Sequence, residues 1–194
     1  MNREADRRGD PVRYDRVARS LHWLVAGLAV IVVSLGWAIG GAPRGSPSRD
    51  LLLLLHRSVG LTILALMLLR LAWRASHPPP TLPASLLPIE RALAHLTHGL
   101  LYLAFIAMPL AGWLNSAAEG HSVSLFGLIA IPSLLPENPR LAHWAIAAHL
   151  AGQYLIYLLV SAHVVGALFH AVIKRDGVID RMLPYRRRRE GKAN

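Results

Sequence analysis

Four long apolar runs alternate with short polar segments along the chain. They cover residues 21–40, 51–73, 93–114 and 141–173. A helix needs about 20 apolar residues to cross the hydrocarbon core of a bilayer, so each run is long enough to span one. The fourth run would measure about 50 Å as a helix, more than the roughly 30 Å core, so we expect it to tilt or project. The pattern predicts an all-α integral membrane protein, built as a bundle of four transmembrane helices.

The segments between the runs predict turns and tails rather than a second domain. Turn-forming residues fill 41–47, 78–80 and 115–140, and polar tails occupy 1–20 and 174–194. The first run is longer than the 7 to 15 apolar residues that are typical of a signal peptide, which favours an uncleaved first helix. We therefore expect residues 1–194 to form one membrane domain.

Composition agrees with a membrane protein and bears on its orientation. The chain is 54% apolar and only 16% charged, and its formal charge of +10 includes the basic cluster Arg186–Arg189. Such clusters can bind nucleic acid, but in membrane proteins Lys and Arg accumulate in cytoplasmic flanks and meet anionic lipids. Placing both termini in the cytoplasm puts 17 of the 21 Lys and Arg residues on that side. The sequence thus favours a multi-pass inner-membrane protein that does not bind nucleic acid.

The chemistry of a bound cofactor has to come from histidine. The chain contains no cysteine and ten histidines, so thiolate sites, iron–sulfur clusters and covalent haem attachment are excluded. Histidine inside a bilayer is costly unless it is paired, solvated or bound to a metal. His22, His56, His149, His163 and His170 lie within the apolar runs, whereas His77 and His121 lie in loops, where an ordinary solvated side chain is expected.

The spacing of two histidines on the fourth run indicates two cofactors at different depths. His149 and His163 are 14 residues apart, which separates them by about 40° in azimuth and roughly 21 Å in height on a helix. This arrangement suits two stacked haems, although two polar residues that hydrogen-bond inside the bundle would give the same spacing. Because the fourth helix is antiparallel to the first and parallel to the second, depth pairs His149 with His56 and His163 with His22. Two protein nitrogens on each iron fit electron transfer rather than oxygen binding.

Two arginines are candidate partners for haem propionates. Arg57 follows His56 directly, and Arg70 lies near the cytoplasmic end of the same run. A guanidinium binds a carboxylate through two hydrogen bonds. For Arg70, extension toward lipid headgroups is the alternative.

Taken together, the motifs resemble those of the bacterial cytochrome b561 family over nearly the whole chain. The resemblance rests on Arg19–Trp23, Leu55–Gly60, Ala94–His98, Pro109–Gly112, the intervals of 14 and 7 between His149, His163 and His170, and Asp180–Pro184. It implies a four-helix membrane cytochrome with two haem b, ligated by His22 with His163 and by His56 with His149. It further implies an oxidoreductase that exchanges electrons with ubiquinone and, in one branch, oxidises superoxide.

Three further histidines are candidates for a quinone site. His170 lies one heptad beyond His163, and His95 and His98 begin the third run on the same side. Together they could hydrogen-bond a quinone carbonyl and exchange its proton near neutral pH, whereas singly each suits a position facing headgroups.

Two main functions remain open at the level of sequence. The first is a redox enzyme that passes electrons from a small donor such as superoxide to ubiquinone. The second is a haem b membrane anchor that carries electrons between a partner redox protein, similar to a hydrogenase or dehydrogenase, and the quinone pool. A haem-free transporter fits less well, since the runs show no paired short or broken helices. Short outer loops with four arginines favour an anionic donor over a docked protein.

Overall fold

A computed structural model describes residues 13–83 and 86–183 of the chain. Four helices dominate it: α1 (Arg16–Gly41), α2 (Pro47–Ser76), α3 (Pro88–Ala118) and α4 (Pro139–Leu168). A π-helix, Phe169–Lys174, continues α4, and a 3-10 helix, Ile179–Arg181, follows. The described residues thus contain four helices long and apolar enough to cross a membrane. The predicted four-helix membrane fold is confirmed.

α1, α2 and α3 begin and end beyond the predicted apolar runs by up to five residues, and α4 with its π-helical continuation extends the fourth run by two residues at its start and one at its end. Polar caps set their starts: side-chain oxygens of Asp15, Ser46 and Asn138 accept hydrogen bonds from the backbone of the first turns of α1, α2 and α4. Proline stands in the first turn of α2, α3 and α4, where its missing N–H costs nothing. An apolar run therefore predicts the part of a helix that lies in lipid, whereas the capping residues in the polar flanks determine where the helix begins.

The bundle consists of two helix pairs. α1 packs mainly on α2 and α4 mainly on α3, while α2 and α3 join the pairs. One core cluster contains Val25, Val59, Ile63 and Met67, and a second contains Ala104, Ile156 and Leu159. Many other apolar side chains point outward, as expected where hydrocarbon is the surrounding medium.

Both ends of the described chain lie at the same end of the bundle, which we call the terminal end. The Tyr14 N–H donates to the Arg181 carbonyl over 3.2 Å, and the Arg19 guanidinium donates to the Leu183 carbonyl over 2.8 Å. Arg181 in turn donates to the Thr81 carbonyl, in the connection between α2 and α3, over 2.7 Å. The tail residues 1–12 and 184–194, with the Arg186–Arg189 cluster, lie outside the described residues.

A small β-hairpin covers the opposite end, which we call the hairpin end. Strands β1 (Val123–Leu125) and β2 (Ile129–Ile131) pair antiparallel around a turn with positive φ at Phe126 (51°) and Gly127 (75°). Fully buried Ser58 of α2 fixes the hairpin, because its Oγ accepts the Phe126 N–H at 2.8 Å and contacts the Ser124 carbonyl oxygen at 3.3 Å. The sequence predicted only turns in this region, since strands of three residues give no clear alternation.

Candidate functional site

Two pairs of histidines face each other between the helix pairs, at two depths. Near the terminal end, the rings of His22 on α1 and His163 on α4 have centroids 6.2 Å apart and planes 69° apart. Toward the hairpin end, the rings of His56 on α2 and His149 on α4 have centroids 6.0 Å apart and planes 75° apart. The structure therefore brings together the same pairs that depth along the helices predicted.

The spacing within each pair fits a single metal ion between the rings. An imidazole nitrogen binds zinc at about 2.0 Å and lies roughly 1.1 Å from its ring centroid, so rings on opposite sides of a similar ion have centroids about 6.2 Å apart. Direct hydrogen bonding between the two rings would instead bring two nitrogens to about 2.9 Å, with centroids near 5 Å. The observed 6.2 and 6.0 Å match the first arrangement.

Backbone carbonyls hold the two rings of the hairpin-end pair. His56 Nδ1 lies 3.1 Å from the Val32 carbonyl oxygen, and His149 Nδ1 lies 2.9 Å from the Met108 carbonyl oxygen. Histidines that bind metals commonly donate their second nitrogen in this way, which fixes the tautomer and the ring orientation. Because Nδ1 is used, Nε2 is the nitrogen left to bind a metal.

Glycines lie against these same rings. A Cβ at Gly112 would lie 3.2 Å from both Cε1 and Nδ1 of His149, and one at Gly36 would lie 3.5 Å from Cε1 of His56. The backbone of α3 thus approaches His149 more closely than a larger residue at 112 would allow. The backbone of α1 at Gly36 lies at ordinary van der Waals distance from His56. Gly112 belongs to the Pro109–Gly112 motif, but no periodicity or spacing in the motif indicates this contact.

A third histidine joins the terminal-end pair. The ring of His98 on α3 lies 5.3 Å from that of His163, edge to face. His98 also borders a cleft of about 360 Å³ that is lined by Tyr14, Arg74, Pro79, Pro80, Thr81, Leu82, Arg91 and His95. Of the three predicted quinone histidines, His95 and His98 thus line one cleft and His170 does not, and His98 connects this cleft to the histidine pair.

His170 faces a different partner. It lies in the π-helix, and its Nδ1 is 2.6 Å from the Asp176 carboxylate. One turn away, Lys174 binds Glu90 of α3 at 2.6 Å. Partial burial acts to raise the pKa of the Asp176 carboxyl, but hydrogen bonds from His170 and the Val178 N–H, together with nearby Lys174, outweigh it and hold the pKa below its usual value.

Arginines border both histidine pairs. Arg57 lines a cleft of about 220 Å³ at the hairpin end, together with Asp50, Ser122 and Ser124. At the terminal end, the guanidinium of Arg70 lies 5.3 Å from the ring centre of Tyr102, and that of Arg74 lies 5.7 Å from the same centre. Sequence reasoning missed Arg19, one turn before His22: its Nε is buried and has no hydrogen-bond partner among residues 13–83 and 86–183. Such an atom suits an anionic group of a bound cofactor.

The two loop histidines are exposed, as predicted. His77 stacks on Trp73 with ring centres 3.9 Å apart, and His121 lies 3.4 Å from Glu119.

Fold and site define a class: an integral membrane protein with paired histidines inside a four-helix bundle. The sequence profile of prokaryotic cytochrome b561 matches residues 13–185, and the chain belongs to this family. It is 33% identical over 175 residues to a protein of Yersinia pestis named "Probable superoxide oxidase CybB", covering 90% of this chain and 98% of the relative. It is 31% identical over 179 residues to "Cytochrome b561 homolog 2" of Escherichia coli K12, covering 89% and 92%. A second E. coli relative, "Cytochrome b561 homolog 1", is 29% identical over 175 residues, covering 90% and 99%.

Membership establishes the general activity. The protein is a haem b cytochrome of the bacterial inner membrane that spans it several times and transfers electrons as an oxidoreductase.

Proposed function

We propose that the protein holds two haem b groups and transfers electrons from superoxide to ubiquinone. The proposal rests on the two histidine pairs, His22 with His163 and His56 with His149. In each pair the distance between the ring centroids fits one metal ion between the rings. Haem b supplies reversible one-electron transfer when it is bound. Two imidazoles would hold each haem, and bis-histidine binding suits electron transfer rather than oxygen binding.

Arginines near each pair are the proposed partners of the propionates. Arg57 serves the hairpin-end pair, since it adjoins His56 and lines the neighbouring cleft. Arg70 and Arg19 serve the terminal-end pair, Arg19 through the buried Nε that finds no partner in the described chain. A guanidinium beside a carboxylate both binds the cofactor and neutralises its charge within a medium of low dielectric.

We place superoxide oxidation at the hairpin end. The hairpin end, with its loops and adjoining helix ends, carries Arg44, Arg49, Arg57 and Arg140 against Asp50, Glu119 and Glu137, which gives a small positive bias for an anion. The relative named for superoxide oxidation is 33% identical over nearly the full length of both chains, which supports this donor.

We place ubiquinone at the terminal end, in the cleft that His95 and His98 line. Tyr14, Arg74 and Thr81 add hydrogen-bonding groups, and Pro79, Pro80 and Leu82 add apolar surface for a quinone ring. His98 lies against His163, so a quinone in this cleft would be close to the terminal-end pair. His170 belongs to the same end, where its Nδ1 contacts the Asp176 carboxylate rather than the lining of this cleft.

We assign the terminal end to the cytoplasm. Both ends of the described chain and the α2–α3 connection meet there. In the sequence, residues 1–20, residues 174–194 and the helix ends around that connection hold 17 of the 21 Lys and Arg residues.

A haem b anchor for a partner redox protein is the second candidate. One observation favours it: the hairpin exposes an apolar tip, with Phe126 at 47%, Ile129 at 60% and Leu128 at 86% exposure. Such a tip could contact either lipid or a partner protein.

The two functions separate in one experiment on the purified haem-loaded protein. Superoxide is generated in the presence of the oxidised protein, haem reduction is followed by absorbance, and ubiquinol is measured after a short-chain ubiquinone is added. The redox enzyme predicts rapid haem reduction and ubiquinol formation without another protein. If superoxide leaves the haems oxidised while chemically reduced haems still react with ubiquinone, the anchor becomes the better assignment.

A further inference from the structure

Two helices present a backbone carbonyl to the hairpin-end histidines. In α1 the Val32 carbonyl oxygen lies 3.1 Å from Nδ1 of His56, and in α3 the Met108 carbonyl oxygen lies 2.9 Å from Nδ1 of His149. Since a carbonyl oxygen can only accept, each Nδ1 is the donor. A helical carbonyl accepts the N–H four residues later and keeps a second lone pair for the ring. Both imidazoles therefore donate a hydrogen bond to a helix without interrupting it.

A glycine stands where each ring approaches its carbonyl. Gly36 follows Val32 by four residues, and Gly112 follows Met108 by four, so each glycine closes the helical turn that begins at the accepting carbonyl. An added Cβ would lie 3.2 Å from the imidazole at Gly112 and 3.5 Å from it at Gly36. The same arrangement of carbonyl, glycine and ring is thus present twice, once between α1 and α2 and once between α3 and α4.

The terminal-end pair has different surroundings. In the part of the chain that the structure describes, the rings of His22 and His163 have no hydrogen-bond partner. The guanidinium of Arg70 acts electrostatically on both rings. Arg57 acts likewise on His56, so a cation lies near each pair. The two backbone carbonyls are therefore what distinguishes the hairpin-end pair.

We propose that the carbonyls of Val32 and Met108 give the hairpin-end haem a lower midpoint potential than the terminal-end haem. This inference rests on the proposed function, which assigns one haem to each pair. A hydrogen bond donated from Nδ1 makes an imidazole a stronger electron donor, and this favours ferric over ferrous iron. The two residues are positioning residues, because they act through the histidines that they orient. The resulting order of potentials favours an electron at the terminal end, where ubiquinone is proposed to bind.

The test weakens one carbonyl without changing any side chain. In full-length haem-loaded protein, Val33 is replaced by its α-hydroxy acid, which turns the amide carbonyl of Val32 into an ester carbonyl, a weaker acceptor. The matched control is the same replacement at Val32, which also removes one helical N–H but leaves the Val32 carbonyl an amide. Redox titration followed by absorbance gives the midpoint potential of each haem component. The components are assigned by their loss in His22→Ala and in His56→Ala.

We expect the hairpin-end component of the parent to titrate at the lower potential. The ester at residue 33 should favour its reduction by about threefold, which raises the potential by about 28 mV for one electron. The terminal-end component should stay unchanged, and the control at residue 32 should match the parent.

The inference is overturned if the hairpin-end component of the parent titrates at or above the terminal-end component, or if the ester at residue 33 leaves it unshifted. It is also overturned if both ester proteins shift this component equally, since loss of a helical N–H then explains the effect. A parent with one haem per chain would remove the two-haem proposal and the inference together. Two haems in the expected order that fail to react with superoxide would contradict the proposed donor and support the inference.

Discussion

The imidazole ring of His98 on α3 lies 5.3 Å from the ring of His163 on α4, so a histidine expected at a quinone site contacts a proposed haem ligand. Three histidines thus meet near the terminal end, and both His22 and His98 are candidates to share one iron with His163. Spacing favours His22, whose centroid lies 6.2 Å from that of His163. The 5.3 Å separation of His98 is about 1 Å shorter than two metal–nitrogen bonds require.

Replacement of His98 by alanine should therefore leave two haems in place. We expect the absorbance of the terminal-end component to persist while its midpoint potential shifts, because a polar ring is lost beside a ligand. Redox titration of the purified variant measures both. Loss of that component in His98→Ala, with retention in His22→Ala, would assign the ligand to His98 instead.

The four proposed ligands should act in pairs. His22→Ala and His163→Ala should deplete one low-spin spectral component, and His56→Ala and His149→Ala the other, because iron held from one side leaves the low-spin state. Low-temperature spectra and haem quantitation per chain test this. A parent content near one haem, or a shared component for His22 and His56, would contradict the assignment.

Gly112 and Gly36 offer a matched pair of substitutions. Alanine at 112 would place its Cβ 3.2 Å from two atoms of His149, which forces the ring or the helix to move, whereas alanine at 36 would sit at an ordinary 3.5 Å from His56. We expect Gly112→Ala to shift or weaken the hairpin-end component and Gly36→Ala to preserve it. Alanine also raises helix propensity by about 1 kcal/mol over glycine. A Gly112→Ala protein with raised thermal stability and unchanged spectra would show that the close approach is unimportant.

Ser58 should control the order of the hairpin. In Ser58→Ala the partly buried Phe126 N–H loses its acceptor, at a cost of about 1 kcal/mol. We expect faster hydrogen exchange across residues 123–131, measured by mass spectrometry. Ser34→Ala is the control, because the Ser34 hydroxyl donates to the Val30 carbonyl of its own helix. Equal exchange in the two variants would mean that other contacts hold the hairpin.

Topology can be read with reporter fusions. A reporter active only in the cytoplasm should work after Asn194 and stay silent within 134–138, which follow the hairpin. The opposite pattern would exchange the proposed sites of superoxide and ubiquinone.

The number of spans and the depth of each histidine follow from the sequence alone. A bilayer imposes a length on apolar runs, and the rise of a helix converts the 14-residue interval between His149 and His163 into a separation between two sites. These are properties of single helices, so they need no knowledge of how helices pack. The caps that lengthen the helices are local too, although hydropathy does not register them.

Contacts between helices and reversals of the chain were decided by the tertiary structure. The meeting of His98 with His163 depends on the relative rotation of α3 and α4, which no periodicity within one helix specifies. The carbonyl of Met108 and the backbone at Gly112 reach His149 only through that same packing. His170 was expected among the quinone histidines; left-handed Arg175 after the π-helix turns the chain so that Asp176 meets it. Sequence thus determines how deep each side chain lies, whereas packing and turn geometry determine which neighbour it meets.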